Sequence, residues 1–281
     1  MTGSFSAVDQ STITVGVLAL QGAFVEHITL LKQAAPALTS EYGVHFTFLE
    51  VRTAEQLERC DALILPGGES TAISLIAERC GLLEPLRQFV KLQRRPTWGT
   101  CAGLILLAEE ANKSKATGQE LIGGLDVRVH RNYFGRQVES FEAALDLPFL
   151  GQEPFHSVFI RAPVVENVLA SPTKDVTTKI VEKSAGENLS IRPSMPNRAD
   201  TVSAPQLKAT SAPVEILGRL PGRAKAIKDK TTTAEELGEE GDIVAVKQGN
   251  VFGTSFHPEL AGDERIHAWW LREVIKSKQA T

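Results

Sequence analysis

Short apolar runs alternate with helical patterns through the first half of this chain, and that alternation narrows its possible folds more than any other feature. Ile13 to Leu20, Val44 to Val51 and Ala62 to Leu65 are runs of strand length. Ala23 to Ala34 puts Phe24, Ile28 and Leu31 on one helical face, and helices are also predicted over Thr71 to Arg79 and Glu84 to Leu92. This order predicts an α/β fold, a flavodoxin-like, doubly wound, mostly parallel sheet with helices on both faces. Ligands in such sheets sit at the carboxyl ends of the strands. A chain of 281 residues, 42% hydrophobic, can bury the core of one large domain, here taken as residues 1–281.

From Leu121 the pattern turns β-rich. Leu125 to Val129, Val138 to Ala143 and Ser157 to Arg161 read as strands, and Ile243 to Lys247 with Val251 to Phe256 as a hairpin around Gln248-Gly249-Asn250. A last helix is expected over Asp263 to Lys276, packing through Trp269, Trp270 and Val274. Between these, Val165 to Ala212 is different in kind. No aromatic residue occurs between Phe159 and Phe252, and seven of the fourteen prolines fall from Pro163 to Pro221. Such a segment buries too little apolar surface to offset its ordering entropy. Residues 166–212 are therefore expected to be a disordered insertion, with Glu215-Ile216-Leu217 resuming the core and Arg223 to Gly241 as a second mobile stretch.

The net charge of −4 speaks against a nucleic-acid or anionic-membrane partner. No apolar run reaches transmembrane length. Cys60, Cys80 and Cys101 are too few for a disulfide framework, so a reducing, cytoplasmic setting is expected. Met1 to Thr12 has no basic or apolar signal region, and no secretory leader is expected.

Three segments carry chemistry. Gly99-Thr100-Cys101-Ala102-Gly103, followed by Leu104 to Leu107, is the cysteine form of a nucleophile elbow. Its glycines permit a sharp strand-to-helix turn, which places Cys101 at a helix N-terminus where a thiolate is favoured. Ser255-Phe256-His257-Pro258-Glu259 offers a base and a group to hold it. In an extended segment His257 and Glu259 point to one face, and Pro258 favours that geometry for His257. Leu63-Ile64-Leu65-Pro66-Gly67-Gly68-Glu69-Ser70-Thr71 is a strand running into a Gly-Gly turn, with Ser70 or Thr71 as the expected helix N-cap. The N–H groups of Gly68 and Ala102 are candidate oxyanion donors, and losing one such donor typically removes about 3 kcal/mol of transition-state stabilisation. A metal site ranks low, because the cysteines lack C-x-x-C spacing and no second histidine lies at i+4. His27, His45, His130, His156 and His267 are read as surface, strand or packing residues, and Cys60 and Cys80 as inert thiols.

In this order the three segments resemble a class I, triad-type glutamine amidotransferase domain. Gly16 to Ala23, Pro66 to Thr71, Gly99 to Gly103, Arg131 to Gln137, Phe159 to Pro163 and Ser255 to Leu260 are similar, more narrowly, to the glutaminase subunits of pyridoxal 5′-phosphate synthase. The likeness covers about residues 13 to 165 and 214 to 277. It implies one glutamine amidotransferase domain that hydrolyses L-glutamine to glutamate and ammonia, with Cys101, His257 and Glu259 as catalytic residues. It also implies glutamine contacts at Gly67, Gly68, Glu69, Arg131, Ile160 and Arg161. Either arginine suits the α-carboxylate, and Glu69 suits the α-ammonium. No cofactor or metal is implied. The implied partner is a (β/α)₈-barrel synthase that consumes the ammonia, with the loop at Gln21-Gly22 and the helix after it near that interface. The alternatives are an amidotransferase of another pathway, a cysteine peptidase-like hydrolase on the same sheet, and a silent regulatory subunit.

Overall fold

Ala62-Leu63-Ile64-Leu65 is buried at every position, as a strand covered on both faces must be. The computed structural model containing it describes residues 12–113, 119–131, 140–169, 201–205, 207, 210–221 and 241–280. Its strands are β1 (Thr12–Leu18), β2 (His45–Val51), β3 (Ala62–Leu65), β4 (Thr97–Thr100), β5 (Ala108–Asn112), β6 (Leu125–His130) and β7 (Ser140–Leu145). They continue as β8 (Phe155–Ile160), β9 (Val164–Val168), β10 (Thr201–Ser203), β11 (Glu215–Leu220), β12 (Asp242–Gln248) and β13 (Val251–Thr254). The helices are α1 (Phe24–Tyr42), α2 (Ala54–Glu58), α3 (Ser70–Arg79), α4 (Leu83–Arg87), α5 (Ala102–Leu107) and α6 (Arg265–Gln279).

Among the described residues one sheet of eleven strands runs β10-β5-β6-β9-β12-β13-β4-β3-β1-β2, with β11 also on β12, while β7 and β8 pair apart from it. β2, β1, β3, β4 and β13 are parallel neighbours. The β-rich half joins by antiparallel pairs of β12 with β13 and of β9 with β6 and β12. Alternate residues of β3 serve the two faces. Ala62 and Ile64 pack with Leu31 and Leu38 of α1 and Ile266 and Trp270 of α6. Leu63 and Leu65 pack with Ile73 of α3, Leu86 of α4 and Leu104 of α5.

One register sets up the site. β13 lies beside β4 with Thr254 opposite Thr100. The chain therefore leaves both strands at the same edge, into Cys101 from one and Ser255 from the other. The Cys101 N–H donates to the Thr254 carbonyl at 2.8 Å.

Several local expectations are revised. α1 runs past Ala34 and Pro36 because Ala35 and Leu38 extend its buried face, and it ends at Gly43 with φ 67°. The N-cap of α3 is Glu69 rather than Ser70 or Thr71, its carboxylate accepting from Thr71 N at 3.3 Å and Ala72 N at 2.6 Å. The helix expected over Glu84 to Leu92 divides into α4 and a π-helical turn, Gln88–Leu92. The hairpin turn tightens to Gly249-Asn250, with Gln248 opposite Val251.

The expected insertion at 166–212 is structured at both ends. β9 runs into it and β10 pairs with β5. Polar contacts do there what apolar periodicity would do elsewhere. Arg128 reaches Glu166 at 2.8 Å and Thr201 at 2.9 Å, and buried Lys91 donates to the Pro205 carbonyl at 2.8 Å and to Glu109. Residues 170–200 and the stretch 222–240 lie outside the described residues, as do 132–139 of the motif that begins at Arg131.

Candidate active site

Cys101 has φ 47° and ψ −99°, a region that costs a residue bearing a side chain about 1–3 kcal/mol and persists only when its surroundings impose it. Here they do. α5 lies so close to β3 that a Cβ on Gly103 would sit 2.1 Å from the Leu65 carbonyl oxygen. The turn from β4 into α5 is correspondingly sharp, and the sulfur is left on the cavity wall, 4.0 Å from the Ile160 carbonyl oxygen.

His257 follows β13 by three residues, and its N–H donates to the Val158 carbonyl of β8 at 2.8 Å. Its ring shares the cavity lining with Cys101 and is hydrogen-bonded through Nδ1 to Glu259 Oε1 at 2.7 Å. The histidine–glutamate contact is made by a 3₁₀ turn, Pro258–Leu260, and not by the extended segment expected. Proline at the first position of that turn has the φ the turn needs, and Glu259 folds back under the ring. Burial pushes the His257 imidazole down, but its interactions with Cys101 and Glu259 outweigh this and hold it up at about 10. Burial likewise pushes the Glu259 carboxyl up, and the neighbouring His27 and His257 bring it below the usual carboxylate range. The arrangement can take a proton from the sulfur, hold it and return it.

The Gly-Gly loop stands against this ring. A Cβ on Gly67 would lie 2.3 Å from His257 Cε1, so only glycine fits. Gly68, with φ 156°, passes Gln21, whose Oε1 accepts from Glu69 N at 2.8 Å. The end of β1 and the Gly-Gly loop are thereby tied together.

A cavity of about 360 Å³ opens here, lined by Gly68, Glu69, Cys101, Arg131, Ile160, Arg161 and His257, with Gln21, Ser70, Thr71 and Ile105. The structure thus gathers around one cavity every candidate site residue singled out from sequence except three. Gly67 lies behind the lining against the His257 ring, Ala102 is buried as the first residue of α5, and Glu259 is buried on His257 Nδ1. Arg131 is buried, and burial pulls its guanidinium down to about 10 although Glu69 opposes this. Arg161 is exposed with φ 43°, turning the chain at the end of β8.

Two features escaped the sequence reading. Buried Gln119 accepts through Oε1 from Ser70 at 3.1 Å, from Thr71 at 3.2 Å and from Arg131. It sits in a polar stretch with no periodic signal. His27 and His267, read as surface or packing residues, are fully buried, His27 beside Glu259 and His267 against His27. His27 lies one residue from Ile28 on the apolar face of α1, where a histidine gives no sign of a polar partner. Cys60 is buried, which pushes its thiol up to about 11, and Cys80 is exposed; neither lines the cavity. No described helix is long and apolar enough to cross a membrane.

A cysteine elbow, a His–Glu pair and a glycine loop at the carboxyl edge of a mostly parallel sheet define the class I glutamine amidotransferase type. The SNO glutamine amidotransferase family matches residues 17–194 and 214–276. The chain belongs to that family, the glutaminase subunits of pyridoxal 5′-phosphate synthase in vitamin B6 biosynthesis. It is 40% identical to the probable pyridoxal 5′-phosphate synthase subunit PDX2 of Arabidopsis thaliana, over 95% of this chain and 88% of that one. It is 39% identical to the PdxT subunit of Herpetosiphon aurantiacus, over 92% and 99%. It is 36% identical to SNO1 of Saccharomyces cerevisiae, over 95% and 96%. A crystal structure of a glutamine amidotransferase, 34% identical, aligns over 92% of this chain and 98% of its own with a TM-score of 0.59.

Proposed function

We propose that Cys101, His257 and Glu259 carry out glutamine hydrolysis and that the ammonia passes to a docked (β/α)₈-barrel synthase. The observation that carries this reading is one imidazole that shares a cavity lining with the only cavity-lining cysteine among the described residues and is hydrogen-bonded to a buried carboxylate. Cys101 sulfur bonds to the side-chain amide carbon of L-glutamine while His257, held up at about 10, carries the proton. His257 returns that proton to the amide nitrogen, the C–N bond breaks, and ammonia leaves a thioester. Water then attacks the thioester carbon, giving a proton to His257, and glutamate leaves as the thiol re-forms. Glu259 holds the ring in register and supports its charged form.

The N–H groups of Gly68 and Ala102 are the donors assigned to the two oxyanions. Arg131 and Arg161 take the α-carboxylate and Glu69 the α-ammonium, with Gly68 and Ile160 shaping the pocket between them and Gly67 backing the loop. A cavity of about 360 Å³ is at the small end of ligand sites and suits an amino acid. Free ammonia would be protonated or lost in water, which is the chemical reason for a partner. The test is a coupled glutamate assay of wild type and Cys101→Ala, each with and without the synthase. Cys101→Ala should lose about 10⁴-fold or more of turnover and still bind glutamine. Persistent turnover would reject Cys101 as nucleophile, and equal wild-type turnover with and without the synthase would reject the coupling.

A further inference from the structure

Beyond Glu259 stand two histidines that the triad does not use, His27 of α1 and His267 of α6, both fully buried. His27 Nε2 is 3.4 Å from Glu259 Oε2 and 3.2 Å from Thr100 Oγ1. His27 Nδ1 is 2.9 Å from His267 Nε2. His267 Nδ1 is buried with no hydrogen-bond partner among the described residues.

These contacts fix where the protons sit. Burial pushes both imidazoles down to about 3, so each is neutral and carries one N–H. A proton on His267 Nδ1 would be a buried donor with no acceptor, at a cost of about 1–3 kcal/mol. It therefore sits on Nε2 and donates to His27 Nδ1. His27 must then carry its own proton on Nε2, pointing at Thr100 Oγ1 and Glu259 Oε2. The reverse assignment would also set a nitrogen lone pair against the carboxylate. The titratable groups facing His27 are Glu259, His257 and His267.

We infer that His27 is a positioning residue for the Glu259 carboxylate and that His267 sets the His27 tautomer. The inference rests on the triad reading above. Glu259 gives Oε1 to His257, and its buried Oε2, which has no hydrogen-bond partner among the described residues, has His27 Nε2 3.4 Å away as a polar contact. A cation at that place would satisfy Oε2 but compete with His257 for the carboxylate's field. A neutral N–H steadies the carboxylate and leaves its charge to the His257 imidazolium.

The test compares wild type, His27→Leu, His27→Gln and His267→Leu with the synthase present. Leucine suits the apolar surroundings and removes the donor, whereas glutamine places an amide N–H near the imidazole Nε2 position. His27→Leu should lower kcat about 10- to 100-fold with KM for glutamine unchanged, the loss of the polar contact that steadies a buried charge. Its profile of kcat/KM against pH should narrow from both sides. Alkylation of Cys101 by iodoacetamide, followed by peptide mass, should need higher pH. His27→Gln should recover most of kcat and the wild-type profile, and His267→Leu should narrow the profile to a lesser degree. A folded His27→Leu with wild-type kcat and profile overturns the inference. So does an unshifted profile in His267→Leu if His27→Leu does not fold, or a His27→Gln as impaired as His27→Leu. Turnover by Cys101→Ala, by contrast, sinks the triad itself whatever the histidine variants do.

Discussion

Gly67 and His257 occupy touching volumes: a Cβ on Gly67 would lie 2.3 Å from ring carbon Cε1 and 2.7 Å from Nδ1. The glycine loop is therefore a wall of the imidazole site as well as an approach to the substrate. Gly67→Ala should displace the ring from Cys101 and Glu259 and lower kcat about 100-fold, since small misplacements at a reacting centre are amplified to that degree. KM for glutamine should change less, because the cavity lining starts at Gly68. Steady-state kinetics with a thermal melt will check this. A wild-type kcat in a folded variant would mean that the loop moves aside freely.

The strands and the elbow were legible because apolar runs and glycines carry their own physics. Leu63 to Leu65 can only be buried, and Gly103 marks the place where helix and strand backbones meet. His257 and Glu259 were legible as a pair, but the 3₁₀ turn that joins them was not, since Pro258 fits an extended and a turned chain alike. β9 and β10 were hidden because Arg128 holds them through Glu166 and Thr201, and an ion pair across the sheet leaves no periodicity. Gln119 and His27 were hidden for the related reason that their partners are distant in sequence. A polar residue declares its role only when the fold supplies the group it bonds.

Arg131 is held on two sides, its N–H by Asn112 Oδ1 at 2.7 Å and its guanidinium by Gln119. This sets its fork at the cavity next to Glu69. Lysine keeps the charge but cannot reproduce a planar, two-pronged donor. Arg131→Lys should raise KM for glutamine about 10- to 100-fold, the range for a lost hydrogen bond to a charged group. The kcat should change little, because the assigned contact is to the α-carboxylate and not to the reacting amide. A fall in kcat at constant KM would assign Arg131 to the reacting centre instead.

Stability should peak near the ordinary histidine pKa, because the buried histidines pull in opposite directions on either side of it. His257 is raised to about 10 in the folded state. Its contribution is complete below about pH 6.5, where the unfolded chain is also protonated, and is lost as pH rises toward 10. His27 and His267 are lowered to about 3. Below about pH 6.5 the unfolded chain binds protons that the folded chain refuses, so stability falls toward acid. The lowered Glu259 carboxyl adds to that acid loss, since its contribution disappears as pH falls through its folded pKa. Each fully titrating group contributes a slope of about 1.4 kcal/mol per pH unit, so the two neutral histidines should make the acid side steeper than the alkaline side. Chemical denaturation across this range will read both slopes. His27→Leu should flatten the acid side and leave most of the alkaline slope in place, and a monotonic profile in wild type would contradict the assigned charge states.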